Sequence, residues 1–186
     1  MKKILFKLIF YLIILRILII QNLFKRDYLS ISLNRMHYKF IPLVLNFFGA
    51  QIGRNVQIES GLNLVNYHTS LFNLNLKDNV SIGRNVLLDL RDKITIDEDV
   101  VISMNCDLIT HIDLGSSSLS ELYPAKSQPI HIKESSYLGT GVTVLNGVVI
   151  GQRSIVGAKS LVKNNIPPNT FVAGIPARKI KDLDAN

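Results

Sequence analysis

The sequence predicts an all-β solenoid, a parallel β-helix of triangular cross-section, preceded by an apolar helical segment. Two observations carry that reading. From Ile132 a step of six residues lands on Leu138, Val144, Ile150, Val156 and Val162, and four places after most of these stands a small or aliphatic residue: Ser136, Val142, Val148, Ser154 and Ser160. A period of six matches neither the 3.6 of a helix nor the 2 of an isolated strand, so neither can gather these residues on one face. In a triangular solenoid each six-residue unit is one flat edge with its aliphatic residue inward, and three units of about eighteen residues close a coil. The second observation is residues 4–24, almost unbroken hydrocarbon ahead of the repeat.

That N-terminal run is long enough to cross a bilayer as a helix, which takes about 20 residues. Arg16 interrupts its apolar core and no small-x-small cleavage site follows, so the segment is expected to stay attached instead of being removed as a signal peptide. Lys7 and Arg16 would each cost about 2.5–3.5 kcal/mol at mid-membrane unless they snorkel, which keeps open a helix lying in the interface. The next apolar run, residues 40–48, contains Pro42 and ends at Gly49, and reads as a short helix that starts at the proline and stops at the glycine.

At 186 residues, 47% of them hydrophobic, the chain can build one domain with a proper core. The formal net charge of +7 is concentrated, since Lys2, Lys3, Lys7, Arg16, Lys25, Arg26, Arg35 and Lys39 all lie in the first quarter. This suggests contact with an anionic surface there, and no motif that reads RNA or DNA is present. The single Cys106 excludes an internal disulfide and a cysteine-based zinc site, which fits a reducing compartment.

The six-residue beat starts at Ile52 and divides the chain into an apolar membrane-associating segment, residues 1–50, and a solenoid domain, residues 51–186. Ile52, Ile58 and Leu64 are followed, after a weak step at Ser70, by Leu76, Ile82 and Leu88; two extra residues near 89–93 shift the register, which resumes at Ile96, Ile102 and Leu108. Residues 112–128 have no beat and carry Gly115, three consecutive serines and Pro124, so they read as a loop extruded from one coil, where function tends to sit. A short C-terminal tail is expected to follow the last repeat.

The repeat from Ile132 to Val162, followed by Lys163-Asn164-Asn165-Ile166-Pro167-Pro168 and closing on Ala173-Gly174-Ile175-Pro176-Ala177-Arg178, resembles the C-terminal part of hexapeptide-repeat O-acetyltransferases, the group of galactoside and maltose acetyltransferases and of polysaccharide-cluster sugar acetyltransferases. The resemblance covers roughly residues 51–181. It implies a left-handed parallel β-helix, an exception to right-handed crossovers, and a homotrimer that holds acetyl-CoA in the groove between neighbours. Thr110-His111 resembles the family's Thr-His catalytic step, with the histidine about two residues earlier after its aliphatic position. An imidazole can take the proton of a sugar hydroxyl as it attacks a thioester, and a backbone N–H would meet the oxyanion. The resemblance further implies that Thr140, Ala158, Lys163 and Asn164 line the pantetheine arm and that Arg178 and Lys181 meet the phosphates of CoA, where fixed positive charge is required. Asn164 stands where the family has lysine and Tyr137 where it has tryptophan. Asp89 resembles a polar residue of the acceptor pocket.

The other candidates read more plainly. His37 lies in the basic N-terminal region, His68 in an irregular coil, and His131 faces outward between Ile130 and Ile132. Their spacing offers no His-x4-His pair, so no metal is expected. Cys106 falls on an inward corner and reads as a packing residue. The function expected is acetyl-CoA-dependent O-acetylation of a sugar hydroxyl during surface-polysaccharide or glycolipid assembly, at the bacterial cytoplasmic membrane with the catalytic domain facing the cytoplasm. A serine O-acetyltransferase-like enzyme and a non-enzymatic trimeric scaffold are the alternatives. The first should carry a large helical N-terminal domain, and the second should leave His111 dispensable.

Overall fold

The computed structural model describes residues 2–24, 28–67 and 70–183. Three helices, α1 (Lys2–Phe24), α2 (Tyr28–Leu33) and α3 (Ile41–Phe47), precede a solenoid whose short strands stack in three parallel sheets. Each sheet is one face of the prism. Ile52, Leu76, Ile96, Ile132 and Ile150 stack on the first; Ile58, Ile82, Ile102, Leu138, Val156 and Val172 on the second; Leu64, Leu88, Leu108, Val144 and Val162 on the third. Apart from Val172 these are the residues of the six-residue beat, and nearly all are buried, each contributing about 1.5–3 kcal/mol of apolar burial.

Along the first face the coils are 24, 20, 36 and 18 residues apart, so the register departs from eighteen in three places. The 36-residue interval contains the extruded loop. That loop is pinched at its base, where His111–Ile112 pairs antiparallel with Lys126–Ser127, and it carries a single 3-10 turn, Ser118–Glu121, at a tip that exposes Leu119, Leu122 and Tyr123.

The corners follow a second rule. Three places after the inward residue the backbone enters the left-handed region, at Asn55, Asn79, Asn85, Asp99 and Asn105 among others, and at Gly141 and Gly147 where a side chain would be strained. Asparagine tolerates that region and also stacks between coils, Asn55 Nδ2 donating to Asn79 Oδ1 and Asn79 Nδ2 to Asp99 Oδ1.

Two features differ from the sequence expectation. The C-terminal tail is a β-hairpin: Thr170–Gly174 continues the second face and Ala177–Asp182 folds back antiparallel on it. The N-terminal region contains a helix the periodicity did not indicate, α2, and all three helices share the solenoid's hydrophobic core. Ile41, Val44 and Leu45 of α3 close the open lower end, and Ser30 of α2 accepts from the Leu64 amide at 3.1 Å. α1 buries Ile14 and Ile17 against this cap and presents Ile4, Leu8, Leu12, Leu15 and Ile19 outward.

Candidate active site

The site is built where the third face turns into the first. Leu88 and Leu108 are stacked partners in the third sheet, so Asp89 and His111, which follow them at this corner, are brought onto adjacent coils. The two residues of extra length after Leu88 let Asp89 stay inside the turn. Its side chain is 1% exposed, and Oδ2 stands 2.5 Å from His111 Nδ1 and accepts from the Thr110 amide at 2.8 Å. Oδ1 accepts from Asn66 Nδ2 at 2.7 Å, and the Thr110 hydroxyl donates to the Asp89 carbonyl at 2.8 Å.

Burial opposes ionisation of Asp89, but the hydrogen bonds from His111, Asn66 and Thr110 outweigh it and hold the carboxyl below its ordinary range. An ionised Asp89 fixes the proton on His111 Nδ1, so Nε2 carries the lone pair of a base. Nε2 has no hydrogen-bond partner among the described residues, and the ring is 21% exposed. The sequence reading set Asp89 in the acceptor pocket; in the structure both its oxygens are engaged by the protein, and it meets the ring of His111. The stacking of Leu88 on Leu108, already implied by the six-residue beat, was the signal that could have paired them.

A second pair, His131 Nε2 with Asp97 Oδ2 at 2.7 Å, lies on the outside of the first face with side chains 38% and 20% exposed, so neither the carboxylate nor the ring is sequestered from water. His37 stacks on Tyr38 in the N-terminal cap, and His68 lies outside the described residues. Among the described residues no group of three metal-ligating side chains occurs. Cys106 is a buried corner residue whose Sγ contacts the Gly139 carbonyl at 3.2 Å, and burial pushes its thiol up, away from nucleophilic use.

The residues matched to CoA binding fall into two groups on different edges of the prism. Thr140 and Ala158 lie where the second face turns into the third, on successive coils, with Thr140 Oγ1 2.9 Å from Ser103 Oγ. Arg178, paired with Ala173 in the hairpin directly above, belongs to the same edge, and Lys181 continues along that strand opposite Phe171. This edge is closely packed: a Cβ added at Gly139 would stand 2.6 Å from the Ala158 amide nitrogen. Lys163 and Asn164 follow Val162 on the third face, at the His111 edge and two strands beyond it, about 10 Å along the stack. Arg178 and Lys181 are exposed and make no ion pair with a described carboxylate, whereas Lys179 is paired with Asp182. Small side chains beside unpaired cations suit a slender ligand that ends in phosphates. A single chain does not bring this edge and His111 together.

A hexapeptide solenoid with a histidine–carboxylate pair at one corner and cationic small-residue edges defines a class of acyltransferases, and comparison with known proteins places the chain within it. No family profile matches. The chain is 35% identical over 146 residues, 78% of this chain and 76% of the other, to WcaF of Escherichia coli K12, an acetyltransferase assigned to colanic acid biosynthesis. Galactoside acetyltransferase in complex with coenzyme A superposes with a TM-score of 0.74 at 25% identity, over 85% of this chain and 78% of that one. A maltose O-acetyltransferase from Clostridium difficile 630 shares the fold, with a TM-score of 0.74 at 24% identity over 86% and 84% of the two chains. The chain belongs to the hexapeptide-repeat O-acetyltransferases, with their left-handed β-helix, and is an acyltransferase that uses acetyl-CoA.

Proposed function

We propose that the protein acetylates a hydroxyl of a sugar during assembly of a surface polysaccharide or glycolipid, with His111 as general base. The observation that carries this is the buried Asp89 locked onto His111 Nδ1, which leaves Nε2 unpaired on the same corner as Lys163 and Asn164. Nε2 takes the proton of the acceptor hydroxyl while its oxygen bonds to the acetyl carbonyl carbon; the C–S bond then breaks, and the imidazolium returns the proton to the departing thiolate, giving CoA thiol. Thr140, Ala158, Lys163 and Asn164 line the pantetheine arm, and Arg178 and Lys181 hold the phosphates. The sugar acceptor is supported by relatives named for colanic acid, lipopolysaccharide and galactoside acetylation. Serine acetyltransferases are 28% identical over 66% of the chain, against 35% over 78% for the colanic acid relative, and the N-terminal part here consists of three helices that cap the solenoid.

The separation of His111 from the Thr140–Arg178 edge supports a homotrimer, in which the His111 edge of one copy faces the Thr140 edge of the next. The exposed apolar face of α1 supports attachment of residues 1–50 to the cytoplasmic membrane, with the solenoid domain, residues 51–186, on the side where CoA is found. Purified protein offered acetyl-CoA with nucleotide-linked or lipid-linked sugars should yield a sugar heavier by one acetyl group, read by mass spectrometry. Thioester consumption that is stimulated by serine and not by any sugar would overturn the reading.

A further inference from the structure

Arg16, set in the middle of the apolar run of α1, has no part in the acetyl-transfer site. In the structure it lines a cavity of about 820 Å³ between α1, α2 and the turn leading to α3, and Arg35 lines the same cavity. The walls are mostly hydrocarbon, from Ile13, Ile17, Met36 and Phe40, and the volume is that of a small-molecule site. Neither guanidinium hydrogen-bonds or ion-pairs with a described residue. The first 58 residues contain a single carboxylate, Asp27, which lies outside the described residues.

Both arginines are exposed in the chain alone, but with α1 lying in a membrane an unpaired charge there is costly, so two arginines lining one apolar cavity call for an anion. Beside an α1 face formed by Ile4, Leu8, Leu12, Leu15 and Ile19, the anion that comes attached to hydrocarbon is a lipid phosphate. A guanidinium fork matches two phosphate oxygens, and a pair of such forks repels the choline of a zwitterionic head while accepting an uncharged one. We propose that this cavity binds the phosphodiester head of an anionic phospholipid, with Arg16 and Arg35 on the phosphate oxygens and the first part of an acyl chain against Ile13, Ile17 and Phe40. The site rests on α1 lying in a membrane, as proposed above. Because α2 is tied to the first coil through Ser30 and Leu64, a lipid held here also fixes how the solenoid stands on the leaflet.

The test is native mass spectrometry of the full chain released from nanodiscs of equal phosphatidylcholine and phosphatidylglycerol, with vesicle flotation in parallel. One phosphatidylglycerol per chain should be retained. The double variant Arg16→Gln/Arg35→Gln should retain it roughly tenfold less or worse, and Ser32→Phe, which fills the cavity and leaves the charge unchanged, should lose it too. Lys3→Gln/Lys7→Gln removes the same charge outside the cavity and should keep it. Flotation reads membrane attachment alone: wild-type chain that fails to float refutes attachment, whereas a floating chain that loses its lipid only in the cavity variants supports the site. Equal retention of the two phospholipids, retention in Arg16→Gln/Arg35→Gln, or displacement by an added polyprenyl diphosphate would overturn the assignment.

Discussion

Asp89→Asn isolates the contribution of one carboxylate to the base. Asp89 Oδ2 serves both His111 Nδ1 and the Thr110 amide, and Oδ1 serves Asn66. An asparagine amide has one acceptor oxygen for these donors. If that oxygen faces Thr110 and His111, the imidazole keeps its tautomer but loses the negative charge that stabilises the imidazolium; if the NH2 faces His111, Nδ1 must become the acceptor and Nε2 carries the proton, so the base is lost. Either arrangement should lower kcat by about 10²–10⁴. Stability should fall by about 1–3 kcal/mol, the cost of a misfit buried polar group. The assay is thiol release from acetyl-CoA with the sugar acceptor, alongside CoA binding and thermal unfolding. Asp89→Asn/His111→Ala should be no slower than His111→Ala alone, because the pair acts as a unit. An Asp89→Asn enzyme within about threefold of wild type, or a double variant whose losses multiply, would refute the assignment.

His111→Ala should keep assembly and CoA binding while losing about 10²–10⁴ in turnover; near-normal activity would promote the scaffold reading. Arg178→Ala or Lys181→Ala should raise KM for acetyl-CoA and spare a truncated thioester that lacks the nucleotide phosphates, and equal effects on both donors would assign these residues to folding instead. Asp89 has a folded pKa below its unfolded one, so the stability it supplies is complete above the ordinary carboxylate range and is lost as pH falls through the folded value. Acid melting curves of wild type should therefore drop more steeply below about pH 4 than those of Asp89→Asn. Leu8→Glu/Leu15→Glu, on the exposed face of α1, should abolish flotation with membrane vesicles and leave activity on a soluble sugar analogue intact, and a variant that still floats would refute the attachment.

The inward columns were legible because one aliphatic residue per six has no other use: every step of the beat from Ile132 to Val162 is a buried, stacked position. Less was legible where side chains act across coils. Asp89 reads locally as a polar residue beside a register shift, and only the stacking of Leu88 on Leu108 places it against His111. The corner rule was written in Asn55, Asn79, Asn85 and Asn105, but aliphatic periodicity is blind to a residue chosen for its backbone. α2 escaped because six residues with Ser30 and Ser32 among them carry too little pattern, and the helix exists by packing on the first coil. The hairpin of Ala177–Asp182 was hidden for a related reason. Its exposed, charged strand reads as tail, yet it completes the edge by setting Arg178 beside Ala173, which stacks on Gly157.

Subunit complementation tests most directly whether the base of one copy serves the thioester held against another. His111→Ala removes the base, and Ala158→Trp blocks the exposed small-residue edge, so each variant alone should be inactive. Unfolded together in equal amounts and reassembled, they should recover about a quarter of wild-type activity, since one in four contacts of a random cyclic trimer pairs an intact His111 edge with an intact Ala158 edge. Mixtures as inactive as their parents, from trimers shown to have exchanged subunits, would contradict a site shared between copies.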